Sequence, residues 1–263
     1  MTTLPPRITR ALERFHAAHP WDHNAHYHRW ILRQLPGRLG RALDVGSGSG
    51  DLARLLAARA AEVHGVDADP AIVDRARELT DPAARVSFTV GDALETVPPG
   101  LYDAITCVAT LHHMPLRDAL TRFRRQLSPD GTLVVVGVYR PQLLSDYLID
   151  AVAVPANVAM ALIKNRGRKA PRPTSMTAPT RPASMTFGDI VLDAHRVLPG
   201  ARLHRRLFWR YTLVWHRDEE TAGRSPRQGL GAAWTFVRGQ KSGSDGGAGR
   251  RSGRVPHGGF RRG

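Results

Sequence analysis

The chain of 263 residues has a single cysteine, Cys107. An internal disulfide is therefore impossible, and Cys107, in the middle of an apolar run, is expected to be a small buried hydrophobe. Lysine is almost missing: of 38 basic residues, 35 are arginine and 3 are lysine. Long apolar runs are also missing. The longest, between Asp146 and Lys164, is broken by Asp150, Pro155 and Asn157 and falls short of the ~20 residues a membrane span needs. Met1 to Pro20 contains no apolar core of a secretory signal. These absences point to a cytoplasmic protein without a membrane span.

Acidic residues are too few to balance the charge, which is +15. The excess is local. Residues 160–186 hold Lys164, Arg166, Arg168, Lys169, Arg172 and Arg181 with no acid, and residues 218–263 hold nine basic and four acidic residues. Arginine alternating with aromatics, the pattern for stacking bases, occurs only in Phe208-Trp209-Arg210-Tyr211. That segment reads better as a strand, so nucleic acid is not the expected partner.

What is present is a glycine-rich turn. Ala42-Leu43-Asp44-Val45 ends in Gly46-Ser47-Gly48-Ser49-Gly50-Asp51, and Val63-His64-Gly65-Val66 ends in Asp67, 21 residues after Gly46. Glycines admit a ligand close to the backbone, and a carboxylate at the tip of the second strand can accept both hydrogens of a ribose diol. The dinucleotide fingerprint G-x-G-x-x-G is not the pattern here. Asp51 at the helix start would repel a pyrophosphate, whereas Asp44 suits an ammonium group. A ligand with a ribose, an ammonium and no phosphate is expected.

Strands are expected at 41–45, 62–66, 85–90, 102–108, 132–138, 201–207 and 208–216. Helices intervene at 51–60, from Asp69-Pro70 to Leu79, and over Leu116, Leu120, Phe123 and Leu127 at helical spacing. Asp69 is an N-cap with Pro70 in the first turn. Strands alternating with helices imply parallel pairing and a doubly wound α/β sheet. Ser128-Pro129-Asp130-Gly131 reads as a turn, residues 5–35 as helical, and 141–165 as a helix or helix pair interrupted at Pro155. A last helix begins at Thr186-Phe187-Gly188-Asp189.

Asp44-Val45-Gly46-Ser47-Gly48-Ser49-Gly50, Val66-Asp67, Gly91-Asp92-Ala93 and Leu127-Ser128-Pro129-Asp130-Gly131-Thr132-Leu133 occur in order. In these four motifs the chain resembles the class I S-adenosylmethionine-dependent methyltransferases of the small-molecule type, strongly over residues 40–140 and more loosely over 20–217. The resemblance implies a seven-stranded, mostly parallel Rossmann-like sheet whose last strand is antiparallel, with S-adenosylmethionine as cofactor. It implies that Gly46, Gly48 and Gly50 line the methionine part, that Asp44 holds the ammonium, and that Asp67, beside Ala68, takes the ribose hydroxyls. Asp92 would bind the adenine amino group, with Ala93 adding backbone. His26, Tyr27 and His28 would fold over the cofactor as a lid, placing Tyr27 among the cofactor-binding residues.

The expected organisation is an N-terminal helical cap at 1–40, a cofactor-binding core at 41–140, an apolar helical insertion and basic Pro-rich loop at 141–186, a final helix and hairpin at 187–217, and a disordered tail at 218–263. Ligands sit at the carboxyl ends of strands in such sheets. His112 and His113, just after the 102–108 strand, are therefore the candidate general bases. The apolar insertion points to a small, fairly apolar acceptor methylated at oxygen, nitrogen or carbon. The (Asn/Asp)-Pro-Pro-aromatic motif of base-amino methyltransferases is absent, and Cys107 does not follow a proline. No cysteine or carboxylate set at ligand spacing joins His23, His26 and His28, so no metal is expected. The competing readings are a basic nucleic-acid-binding or nucleic-acid-modifying protein and an NAD(P)-dependent oxidoreductase.

Overall fold

The structure is a computed structural model and describes residues 6–142, 144–176 and 181–218. The tail expected beyond Asp218 lies outside the described residues. Seven strands form one sheet: β1 Leu39–Val45, β2 Ala60–Asp67, β3 Val86–Val90, β4 Tyr102–Val108, β5 Leu127–Val138, β6 Arg202–Arg206 and β7 Arg210–His216. Their order is β3-β2-β1-β4-β5-β7-β6. Neighbours from β3 to β5 run parallel, and β7 is antiparallel to both β5 and β6. The connection reverses direction between β1 and β4. A crevice therefore opens beyond their carboxyl ends, where such sheets bind ligands.

Among the described residues the α-helices are α1 Pro6–Ala18, α2 His28–Gln34, α3 Asp51–Ala57, α4 Pro70–Glu78, α5 Leu116–Gln126, α6 Leu144–Lys164 and α7 Phe187–Val197. Local chemistry explains several boundaries. The Asp69 side chain accepts from Ala71 N at the start of α4. Thr186 and Asp189 form a reciprocal capping box on α7. The central strands are buried on both faces, with Leu43, Ile105, Leu133, Val135 and Leu213 on one side and Ala42, Ala104, Val134 and Val136 on the other. Cys107 is fully buried in the first of these layers, and burial raises its thiol pKa.

Four expectations need correction. The 5–35 helix is two helices separated by a short 3-10 turn, Ala25–Tyr27. Pro20 restricts the residue before it, and the Asp22 carboxylate accepts from Asn24 N and Ala25 N, which builds a turn instead. The expected break at Pro155 does not occur, and α6 is continuous. Ala153, Asn157 and Ala161 recur every four residues and are all buried, so packing of one face outweighs the lost backbone donor. The 128–131 turn is drawn into β5. There Asp130, at φ 61, donates its N–H to Arg217 O, and Arg217 returns one to Gly131 O. The 51–60 helix stops at Ala57, because β2 begins at Ala60.

The N-terminal segment, α6 and the β6–β7 turn share a small second core of Trp21, Ala161 and Phe208, with Phe15, Met160 and Trp209 against it. Asn157 organises it. Its Oδ1 accepts from Trp21 Nε1 at 2.7 Å and His23 Nε2 at 2.9 Å, while its Nδ2 donates to His16 Nε2 at 3.0 Å. Phe208 and Trp209 sit at φ 63 and 58, which costs bulky residues roughly 1–2 kcal/mol each. Phe208 offsets this by packing edge-on against Trp21, ring centroids 5.0 Å apart. Asn157→Leu is expected to destabilise the protein by about 2–3 kcal/mol, since it strands buried donors. Urea unfolding measures this, and an unchanged midpoint would contradict the network's role.

Candidate functional site

The loop after β1 folds back on β2, with Gly46 N and Ser47 N both donating to Val66 O. Three glycines there have left-handed φ: Gly46 at 69, Gly48 at 50 and Gly50 at 76. They differ in surroundings. A Cβ on Gly46 would lie 1.9 Å from Thr110 Oγ1, and one on Gly50 would lie 2.6 Å from Phe88 Cζ. A Cβ on Gly48 would meet nothing within 4 Å. Gly46 and Gly50 are thus glycines for packing, and Gly48 presents the open face of the loop.

Asp67 ends β2 and carries that face. One carboxylate oxygen accepts from Gly48 N at 2.9 Å and the other from Asp69 N at 3.1 Å. A carboxylate oxygen has two lone pairs, so each can take a further hydrogen. Asp92 is exposed after β3, and its Oδ1 accepts from Leu94 N at 2.7 Å. Ala93 is half-buried against the core, and Ala68 is exposed beside Asp67.

Asp44 is 2 % exposed and accepts from Thr106 Oγ1 at 2.8 Å. Burial pushes its carboxyl up to about 7; the Thr106 bond opposes this, and the charges of Asp67 and Asp51 reinforce it. Asp51 opens α3, held by Arg54 at 2.6 Å and by the Ser49 hydroxyl. Three acids therefore lie around the loop; Asp51 is already met by Arg54, and the charge left for a ligand is that of Asp67 with part of Asp44, which favours a cation beside it. Thr106 and Thr110 are site residues the sequence reading missed. Asp44 and Thr106 meet only because β1 and β4 align them in register. Ser47 Oγ, buried beside Gly65, has no partner among the described residues.

The raised Asp44 carboxyl has a stability consequence. Its folded value lies above the unfolded one, so between about pH 4 and 7 the folded state binds the extra proton, and stability falls as pH rises through this window. Asp44→Asn is expected to flatten that part of the ligand-free profile, measured by urea midpoints at each pH. A mutant profile parallel to wild type would exclude Asp44 as its source.

His112 and His113 form a short 3-10 turn after β4, ring centroids 4.0 Å apart. Burial lowers His112 to about 4, helped by His113 and Arg210 and opposed by the Arg181 backbone. His113 is exposed and lowered less severely, by desolvation and Arg181, while Asp67 pulls it back up. Both imidazoles are neutral at pH 7 and can accept a proton. His112 also lines a cavity of about 40 Å³ with Leu111, Met114, Val138, Ile190 and Tyr211.

The anticipated lid residues diverge. Tyr27 is buried in the core between α2 and the sheet, and its hydroxyl donates to Leu207 O at 2.8 Å. Burial pushes that hydroxyl up to about 12. It ties the cap to the hairpin. His26 packs edge-on against Trp21 and Phe208. His28 is lowered by burial, opposed by the charges of Asp22 and Asp51.

Comparison with known proteins places this geometry. A family model described as a methyltransferase domain matches residues 42–131. An uncharacterized methyltransferase of Mycobacterium tuberculosis is 30% identical over 199 residues, covering 74% of this chain and 96% of that protein. A ubiquinone biosynthesis O-methyltransferase of Xanthomonas campestris pv. campestris is 37% identical over 103 residues, 38% of this chain and 42% of the other. Among solved structures, the N-methyltransferase NodS of Bradyrhizobium japonicum with bound S-adenosyl-L-homocysteine superposes with a TM-score of 0.52 at 18% identity, covering 80% of this chain and 98% of that one.

Proposed function

The chain belongs to the class I S-adenosylmethionine-dependent methyltransferases, and from that premise we propose that it methylates an oxygen, nitrogen or carbon of a small molecule. The observation that carries the reading is the acidic cradle: Asp44, Asp51 and Asp67 around a glycine loop whose Gly48 face is open. Those residues fit a cationic, phosphate-free nucleoside ligand, and they disfavour NAD(P), whose pyrophosphate would meet Asp51 at the start of α3.

Asp67 would accept from the ribose diol through its remaining lone pairs, while its bond to Gly48 N fixes the loop. Asp44, held by Thr106, would balance the ammonium group. Asp92 would receive the adenine amino group. When bound, the cofactor supplies an activated methyl on a good leaving group, so the protein's task is alignment. His113 would take the acceptor proton, with the His112 ring tilted against it. The segment before β1 would act as a cap and α6 as the acceptor-side cover. A small-molecule acceptor agrees with the name of one relative, a ubiquinone biosynthesis O-methyltransferase, and with the apolar lining beside His112.

The test is production of S-adenosylhomocysteine from methyl-labelled S-adenosylmethionine by the full chain with panels of phenols, amines and acidic carbon compounds. Acceptor-dependent product supports the reading. Binding of NADPH and not of S-adenosylhomocysteine would overturn it. His113→Ala is expected to lower kcat for a hydroxyl acceptor by about 100-fold, while S-adenosylhomocysteine affinity stays within a factor of two. Undiminished kcat would remove His113 from the chemistry.

A further inference from the structure

Arg210 is a largely covered cation at the edge where the chemistry is placed, and among the described residues it has no carboxylate partner. It opens β7 opposite Val138, the last residue of β5, and so stands on the carboxyl edge of the parallel strands. Its guanidinium donates to Phe208 O at 3.3 Å and to Asn24 Oδ1 at 3.1 Å, both neutral. Its Nε is buried without a partner among the described residues. It forms no ion pair there either, in contrast to Arg205 on the same hairpin, which pairs with Asp146 at 3.2 Å. Asp22 feels its charge at a distance, but that carboxylate already holds Asn24 N, Ala25 N and the Ser175 hydroxyl. Buried guanidinium groups ordinarily have an anion.

A second arginine arrives from another element. Arg181, in the loop before α7, is exposed and forms no ion pair among the described residues; its backbone meets His112 and its charge reaches His113. The crevice thus has two poles. The β1–β2 side carries Asp44 and Asp67, the β5–β7 edge carries Arg210, and His112 and His113 follow β4 between them. Met114 and Val138, both half-buried, line the cavity beside His112.

We propose that the acceptor carries an oxyanion, a carboxylate or phosphate, which docks on Arg210 and Arg181 while its apolar body lies against Met114 and Val138. This rests on the methyltransferase reading and narrows its substrate class. The β4 and β7 edges are two strand spacings apart, roughly 10 Å. An acceptor on the scale of an aromatic or short-chain acid spans that distance, its anion on the arginines and its reacting atom near His113. Entry requires the Asn24 segment to shift, because Nε is covered by it and by the hairpin turn.

The test uses the full chain saturated with S-adenosylhomocysteine, with benzoate, its neutral isostere benzamide and inorganic phosphate as probes, read by ligand-observed NMR. Benzoate is expected to bind about tenfold or more tightly than benzamide. Arg210→Gln should abolish that preference, Arg181→Gln should reduce it several-fold, and Arg202→Gln, at the far end of β6, should leave it intact. Displacement of benzoate by phosphate assigns a general oxyanion site; failure of phosphate to compete assigns a carboxylate site. If Arg210→Gln does not fold, Arg210→Lys keeps the charge without the fork and should lose several-fold, and Arg181→Gln alters only an exposed loop. Equal affinity for benzoate and benzamide, no binding of either oxyanion, or full preference in both arginine variants would overturn the proposal. Failure of the wild-type chain to load S-adenosylhomocysteine would instead overturn the reading beneath it.

Discussion

Asp67→Ala is expected to weaken S-adenosylhomocysteine binding by about 100-fold or more, because two charge-assisted hydrogen bonds to a diol are each worth roughly 1.5–3 kcal/mol. The variant also removes the acceptors for Gly48 N and Asp69 N, so the glycine loop loses its anchor as the ligand loses its partner. Asp67 is only half-buried, and water can replace those acceptors in the ligand-free protein. Stability should therefore fall by no more than about 1–2 kcal/mol. Asp67→Asn retains one acceptor oxygen and should fall between the two. Calorimetry with the full chain measures the affinities and urea unfolding the stability. Wild-type affinity in Asp67→Ala would remove Asp67 from the site.

A paired substitution in the loop should separate folding from binding. Gly46→Ala is expected to destabilise the protein by about 2–5 kcal/mol, combining left-handed backbone strain with overpacking. The new Cβ would fall 1.9 Å from Thr110 Oγ1, and Thr110 is itself held by its bond to Val108 O. Gly48→Ala has comparable backbone strain at φ 50 but no neighbour within 4 Å, so it should cost roughly 1–2 kcal/mol. Its methyl group would occupy the face assigned to the ligand, and S-adenosylhomocysteine affinity should drop at least about tenfold in a protein that remains folded. Thermal unfolding and calorimetry on the two variants decide it. If Gly48→Ala binds like wild type, the open face of the loop is not the ligand side.

Much of the cofactor half was legible because its signals are local. A strand ending in glycines and a helix beginning at an N-cap are properties of a few neighbouring residues. The reading of Tyr102–Val108 as a strand matches β4 at both ends. The Asp69-Pro70 helix start is likewise where sequence chemistry puts it. Errors arose where distant packing competes with local preference. Pro155 lies within a continuous helix because the buried face of α6 extends on both sides of it. Ser128-Pro129-Asp130-Gly131 has turn chemistry, yet exchange of backbone hydrogen bonds with Arg217 holds Asp130 and Gly131 in β5.

The acceptor half was less legible for a related reason. Tyr27 reads as a lid residue from its polar neighbours, but its hydroxyl reaches Leu207, 180 positions away. Arg210 reads as one arginine in a strand of alternating aromatics. Only the hairpin turn, the Asn24 segment and the edge of β5 together make it a covered cation at the carboxyl edge of the sheet.

The sequence alone determined the alternation of strands and helices, the left-handed glycines and the acids that end β1 and β2, since each depends on backbone sterics and hydrophobic period over a few residues. The tertiary structure alone decided which groups meet: Thr106 with Asp44, Thr110 over Gly46, Asp67 under Gly48, and Arg210 with neutral oxygens only. Those pairings depend on strand register and on segments packed together from opposite ends of the chain, and no local property of the residues encodes them.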